Sequence, residues 1–160
     1  MSVHKKWVLA KRPDGIPAVD CFELQESPLG TPGEKEVQVE TLYISIDPGM
    51  RSRLSGDSYS AALGIGEVIE SAGLGRVTQS NNDRFAVGDI VMGAFGWQSH
   101  LVGKPSGLIK LDPNMFQGPL TLTAAIGVLG IPGLTAYFGL LDLGAPKEGE
   151  TVLVSSAAGT

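Results

Sequence analysis

From residue 113 to residue 141 not one side chain carries a charge. A run of that length reads either as a membrane span or as buried helical structure at the start of a further layer. Its own residues argue against the span. Gly127, Gly130, Pro132, Gly133 and Gly139 interrupt it, and Pro132 is expected to break any helix near its middle. The flanking charges, Asp112 and Asp142, are acidic, whereas the flanks of a span are typically enriched in Lys and Arg on one side. The expectation is therefore two buried helical pieces, residues 120–129 and 133–141, and no membrane partner.

The residues before the run have a different period. Strand-like stretches are expected at 6–10, 19–25, 36–46, 64–71, 75–80, 88–93, 98–102 and 108–110, separated by turn clusters such as Arg12-Pro13-Asp14-Gly15. In 36–46 the alternation puts Val37, Val39, Thr41 and Tyr43 on one face and Gln38, Glu40, Leu42 and Ile44 on the other. Neither face is purely polar, which predicts a strand buried on both sides near its end. Short strands at this spacing form a barrel or a sandwich. After the uncharged run comes a loop at 144–150, then Thr151-Val152-Leu153-Val154-Ser155 as a β-branched strand, then the small residues Ser156-Ala157-Ala158-Gly159-Thr160. An all-β module followed by a helix and an apolar strand that ends in small residues is how a parallel α/β domain begins. The expected division is 1–119 and 120–160, with only one strand of the second domain inside these 160 residues.

Composition excludes several partners. The apolar share of 42% and charged share of 18% suit a packed core. A net charge of −5 without any basic block offers nothing to nucleic acid. A single cysteine, Cys21, forbids an internal disulfide and suits a reducing compartment, and Met1-Ser2-Val3-His4-Lys5-Lys6-Trp7 lacks the apolar core of a secretory signal. These features predict a cytoplasmic protein. A catalytic zinc needs about three protein ligands. His4, His100 and Cys21 have no recognisable ligand spacing, so no metal is expected and hydrogen-bond donors must polarise any substrate carbonyl.

Four motifs occur in order: Leu42-Tyr43-Ile44-Ser45-Ile46-Asp47-Pro48-Gly49-Met50-Arg51, Phe95-Gly96-Trp97-Gln98, Gly130-Ile131-Pro132-Gly133-Leu134-Thr135-Ala136-Tyr137-Phe138-Gly139-Leu140, and Lys147-Glu148-Gly149-Glu150-Thr151-Val152-Leu153-Val154-Ser155 leading into Ala157-Ala158-Gly159. Together they resemble the alkenal/one oxidoreductases and the prostaglandin and curcumin reductases, a zinc-free branch of the medium-chain dehydrogenases/reductases. The resemblance covers roughly residues 36–160. It implies a mainly β fold: a GroES-like β-barrel, followed by a helix and the first strand of a truncated Rossmann domain. It also implies NADP as cofactor and an α,β-unsaturated ketone or aldehyde as substrate, reduced at its C=C bond by hydride transfer.

Site residues follow from the same resemblance. Thr135 matches a threonine near the nicotinamide; otherwise it is a polar residue in a helix start. Pro48 and Gly49 match a dipeptide whose backbone passes the cofactor, although a tyrosine normally stands at Gly49. Gly159 opens the glycine-rich turn that cradles the pyrophosphate at a helix N-terminus. Tyr59, in the polar Ser58-Tyr59-Ser60 loop, matches a substrate-pocket tyrosine and is the catalytic candidate. Arg51 and Arg53 are expected to be solvated or carboxylate-paired, with neutralising an anionic ligand as the alternative; Tyr137 and Trp97 are expected to pack in cores, with walling the pocket as the alternative for Trp97. Residues 1–160 alone are expected to be inactive, and to associate with a second copy or with a missing C-terminal part. Two other readings stay open: a GroES-like module that only binds, and a zinc-free quinone reductase, against which Asp47-Pro48-Gly49-Met50-Arg51 argues.

Overall fold

The computed structural model describes residues 2–56 and 61–155. Two compact units divide the chain, Met1–Asp112 and Pro113–Thr160.

The first unit is built from strands. β1 (Val3–Leu9) and β2 (Phe22–Pro28) form an antiparallel hairpin. β3 (Val37–Ile44), β4 (Ala72–Ser80), β5 (Ile90–Ala94), β6 (His100–Gly103) and β7 (Ile109–Leu111) form a second antiparallel sheet in the order β6-β3-β4-β5-β7. Two isolated bridges, Lys6 to Gln98 and Val8 to Val68, connect the hairpin to this sheet. Both sheets are open, and the fold is mainly β, as the strand pattern implies. The hairpin does not extend the larger ladder, because its partner stretches at 68 and 97–99 are turns and bends rather than strands.

Two apolar clusters hold the unit together. Val37, Val39, Val77, Phe85, Val91, Phe95 and Leu108 fill the space beneath the larger sheet. Leu9, Leu54, Leu63 and Ile69 form the other, with Phe22, Met50 and Trp97 packed against it. The second cluster seats α1 (Gly49–Ser55), whose one buried side chain is Leu54.

Several strand bounds differ from the sequence expectation, each for a local reason. Residues 19–25 begin with a 3-10 turn, Val19–Cys21, and the strand starts only at Phe22. Residues 64–71 are not a strand: Gly66 has φ +82°, outside the extended region, and the ladder starts at Ala72. β3 is buried on both faces at Val37–Val39, its first residues, whereas Tyr43 near its other end is exposed. Buried Gln38 is tolerated because its amide nitrogen donates to Gly30 O at 2.8 Å and its oxygen accepts from Thr78 Oγ1 at 2.8 Å.

The second unit holds α2 (Ile131–Phe138) between a 3-10 helix, Leu122–Ile126, and a π-helical turn, Gly139–Gly144. The expected α-helix at 120–129 is reduced to the 3-10 segment, capped by Gly127. Pro132 does not break a helix. It stands in the first turn of α2, where its missing N–H has no intrahelical partner to lose. Residues 151–155 form no ladder: a strand exists only with a hydrogen-bonded neighbour, and none lies beside them among the described residues. Gly133 allows a close approach that no other residue would, since a Cβ there would stand 1.7 Å from Val128 O.

Candidate functional site

The loop between β3 and α1 is set by its own short-range bonds. Ser45 Oγ donates to Asp47 Oδ1 at 2.9 Å, and the Asp47 amide meets Met50 Sδ at 3.2 Å. The Met50 amide donates to Asp47 O at 3.0 Å and the Arg51 amide to Pro48 O at 3.2 Å, which starts the helix. Pro48 has helical angles (φ −54°, ψ −35°), the pre-set conformation that suits a helix start. Both Pro48 and Gly49 are exposed, and a Cβ at Gly49 would have nothing within 4 Å. Gly49 thus presents bare backbone with open space beside it.

From the other end of α1 the chain returns at Ala61. Arg53 Nε donates to Ala61 O at 3.2 Å, and the Arg53 guanidinium is paired with Glu70. Arg51 is exposed. Tyr59, the catalytic candidate, lies outside the described residues, as does Asp57.

Thr135 lies in the middle of α2 and is exposed. Among the described residues its hydroxyl has no hydrogen-bond partner and caps nothing. The expectation of a core position for Tyr137 is not met: it is 57% exposed and meets Phe138 edge-on, at 5.3 Å between ring centroids. The reason is that α2 has no buried residue and its residues 134–138 are all exposed. Gly159 lies outside the described residues. Pro48 and Gly49 therefore belong to the first unit and Thr135 to the second.

Trp97 does pack as expected. It is stacked on Phe22 at 5.7 Å with an interplanar angle of 23°. It also borders an open cleft of about 420 Å³ on the first unit, walled by Trp7, Leu24, Tyr43, Ile44 and Ile46. Of this lining the sequence offered only Trp97, as the alternative to core packing. The available signal was the apolar character of both faces of residues 42–46, which is excessive for a strand end that faces water.

Titratable groups near these surfaces are few. Burial pushes His100 below its ordinary value; neighbouring Glu40 opposes that shift and His4 adds to it. His4 Nε2 and Gln98 Oε1 are 3.1 Å apart, and the two histidine rings meet edge-on at 6.5 Å. Among the described residues no three His, Cys, Asp or Glu side chains converge as metal ligands would. No described helix is long and apolar enough to cross a membrane.

Comparison with known proteins agrees with this architecture. The family model described as the N-terminal domain of oxidoreductase matches residues 5–111. The NADPH-dependent curcumin reductase of Escherichia coli (strain K12) is 44% identical over 98% of this chain and 44% of its own length. Prostaglandin reductase 1 of Rattus norvegicus is 41% identical over 97% of this chain and 45% of its own. A crystal structure of CurA from Vibrio vulnificus in complex with NADPH matches with a TM-score of 0.83 and 38% identity, covering 96% of this chain and 44% of that one. The chain thus spans less than half the length of the relatives it matches. It belongs to the oxidoreductase family whose N-terminal domain that model describes, in the alkenal/one reductase branch of the medium-chain dehydrogenases/reductases.

Proposed function

We propose that the protein of which these residues form part is an NADPH-dependent reductase of α,β-unsaturated ketones and aldehydes, working without zinc. The observation that carries this reading is the 44% identity with a curcumin reductase across nearly the whole chain, together with the match to an NADPH complex.

The residues in hand fit such a cofactor. Gly49 offers exposed backbone without a side chain, next to the exposed Pro48, so a flat ring and its ribose could approach closely. Thr135 offers a hydroxyl that no described residue engages, a neutral donor and acceptor of the kind a carboxamide needs. Gly159 would open the turn for the pyrophosphate, and with residues from 113 onward it would form the start of a nucleotide-binding domain. When bound, NADPH supplies the hydride. The protein's part is orientation and polarisation. The phenol of Tyr59 would be the donor for the carbonyl oxygen, where negative charge would develop. No metal is required for that polarisation.

The second unit calls for a partner surface. Leu134, Phe138 and Leu141 are each about half exposed, and residues 152–154 are exposed as well. Apolar side chains in this number are covered either by a second copy or by a further part of the same polypeptide. The site geometry does not require a nucleic acid or a membrane, and the reading places the enzyme in the cytoplasm.

Turnover by the full-length enzyme tests the reading. NADPH with an enone should be consumed, ethanol with NAD should not, and Tyr59→Phe should lower kcat/KM for the enone by about tenfold, near 1.4 kcal/mol of transition-state stabilisation. Better oxidation of ethanol than reduction of enones would refute the assignment, and unaltered kinetics in Tyr59→Phe would remove that residue from the site.

A further inference from the structure

Arg12 sits in the turn after β1, far in sequence from α1, and holds two separate stretches of backbone. Its Nη1 donates to Leu54 O at 3.1 Å and its Nη2 to Leu63 O at 3.0 Å. Leu54 lies in the last turn of α1, where helix carbonyls have no partner of their own. Leu63 lies on the returning limb, and its amide in turn donates to Arg53 O at 3.2 Å. Gly56 caps α1 with φ +96°, and a Cβ on it would stand 3.6 Å from Arg12 Nη1, so the guanidinium lies against the cap.

A helix of 7 residues has no stability of its own. What places α1 is its anchors. One is the Leu54 side chain, buried with Leu9, Leu63 and Ile69. Met50 packs against the same cluster and Arg53 is tied to Ala61 O and Glu70, and the forked pair of bonds from Arg12 ties the helix end to the limb that packs beside it. A planar guanidinium can serve two carbonyls at once; an ammonium group lacks that fork. Since α1 is only two turns long, a shift at Leu54 moves its first residues too.

We propose that Arg12 is a positioning residue for the reductase: it fixes α1, and therefore the Pro48–Gly49 backbone at its start, for the cofactor. The proposal rests on the reading of Pro48 and Gly49 as cofactor contacts. The test uses the full-length enzyme as wild type, Arg12→Met and Arg12→Lys, with two readouts. Fluorescence titration should show NADPH bound about tenfold more weakly by Arg12→Met, and nearly as weakly by Arg12→Lys, which keeps the charge without the fork. The kcat at saturating NADPH should stay within about twofold, because the reacting groups are untouched. Hydrogen exchange at the Gly56 and Leu63 amides should quicken about tenfold or more, while β3–β4 ladder amides hold. Should Arg12→Met fail to fold, Arg12→Lys carries both readouts. An unchanged Kd in a variant whose wild type binds NADPH overturns the proposal. If the wild type binds no NADPH, the cofactor reading falls instead, and exchange still decides the placement of α1: unchanged protection at Gly56 and Leu63 overturns it.

Discussion

At the scale of single residues, Asp89 shows how one carboxylate closes a turn. Its Oδ2 accepts from the Ala86 amide at 2.8 Å and pairs with Lys110 Nζ at 2.8 Å, joining the turn before β5 to β7. Burial alone would raise its pKa. The bonds from Lys110 and Ala86 outweigh burial and hold it below its ordinary value of 3.8. The sign of the linkage follows. A carboxyl with a depressed folded-state pKa contributes stability that is complete above its unfolded value and is lost as pH falls through the folded one. Wild-type protein should therefore lose stability below about pH 4 more steeply than Asp89→Asn, measured by urea denaturation at a series of pH values. Parallel curves would show that the pair with Lys110 adds nothing. Residue identities also carried the functional reading: Thr135 and Pro48-Gly49 were legible as candidates through their motifs. Arg12 was not, because a lone arginine after a strand has no spacing that reveals two carbonyls more than forty residues away.

Among the elements, β4 depends most on its glycines. A Cβ on Gly75 would lie 2.5 Å from both Phe95 Cε1 and Val39 Cγ1, and 2.7 Å from Glu40 O, in the centre of the main core. Gly75→Ala should destabilise the protein by about 1–3 kcal/mol, since neither the backbone nor the packed ring can yield cheaply. Gly49→Ala, with open space around it, should change stability by no more than about 0.5 kcal/mol. Thermal or chemical denaturation of the pair checks the contrast, and equal effects would contradict it. Elements were readable from the sequence where a side-chain period and a turn residue coincided. β3 and β5 came through because alternation, β-branching and Gly or Pro punctuation agreed, whereas the hairpin arms, expected at 6–10 and 19–25, run Val3–Leu9 and Phe22–Pro28. The bounds failed where a glycine left the extended region, as at Gly66, or where a helix could not continue, as at Gly127. Residues 151–155 have a strand's composition without a strand's ladder. Composition is a property of the segment, and pairing is a property of its neighbours.

For the whole molecule, the two units differ in how complete they are. The first encloses two apolar clusters and pairs its strands in two antiparallel sheets. The second buries only Ala125 among its described helical residues and exposes the apolar side of α2. The chain spans less than half the length of the relatives it matches. The uncharged run read from the sequence carries short helical segments with exposed apolar side chains, and no described helix is long and apolar enough to cross a membrane. The family model matches within the first unit, over residues 5–111. The most direct measurement is the destination of the hydride. The full-length enzyme is given an α,β-unsaturated ketone and NADPH deuterated at C4 of the nicotinamide, and the product is read by NMR and mass spectrometry. The account predicts one deuterium on the carbon β to the carbonyl in a saturated ketone, undiminished after treatment with a zinc chelator. Deuterium on the carbonyl carbon of an alcohol, or a reaction that stops when the chelator is added, would contradict it.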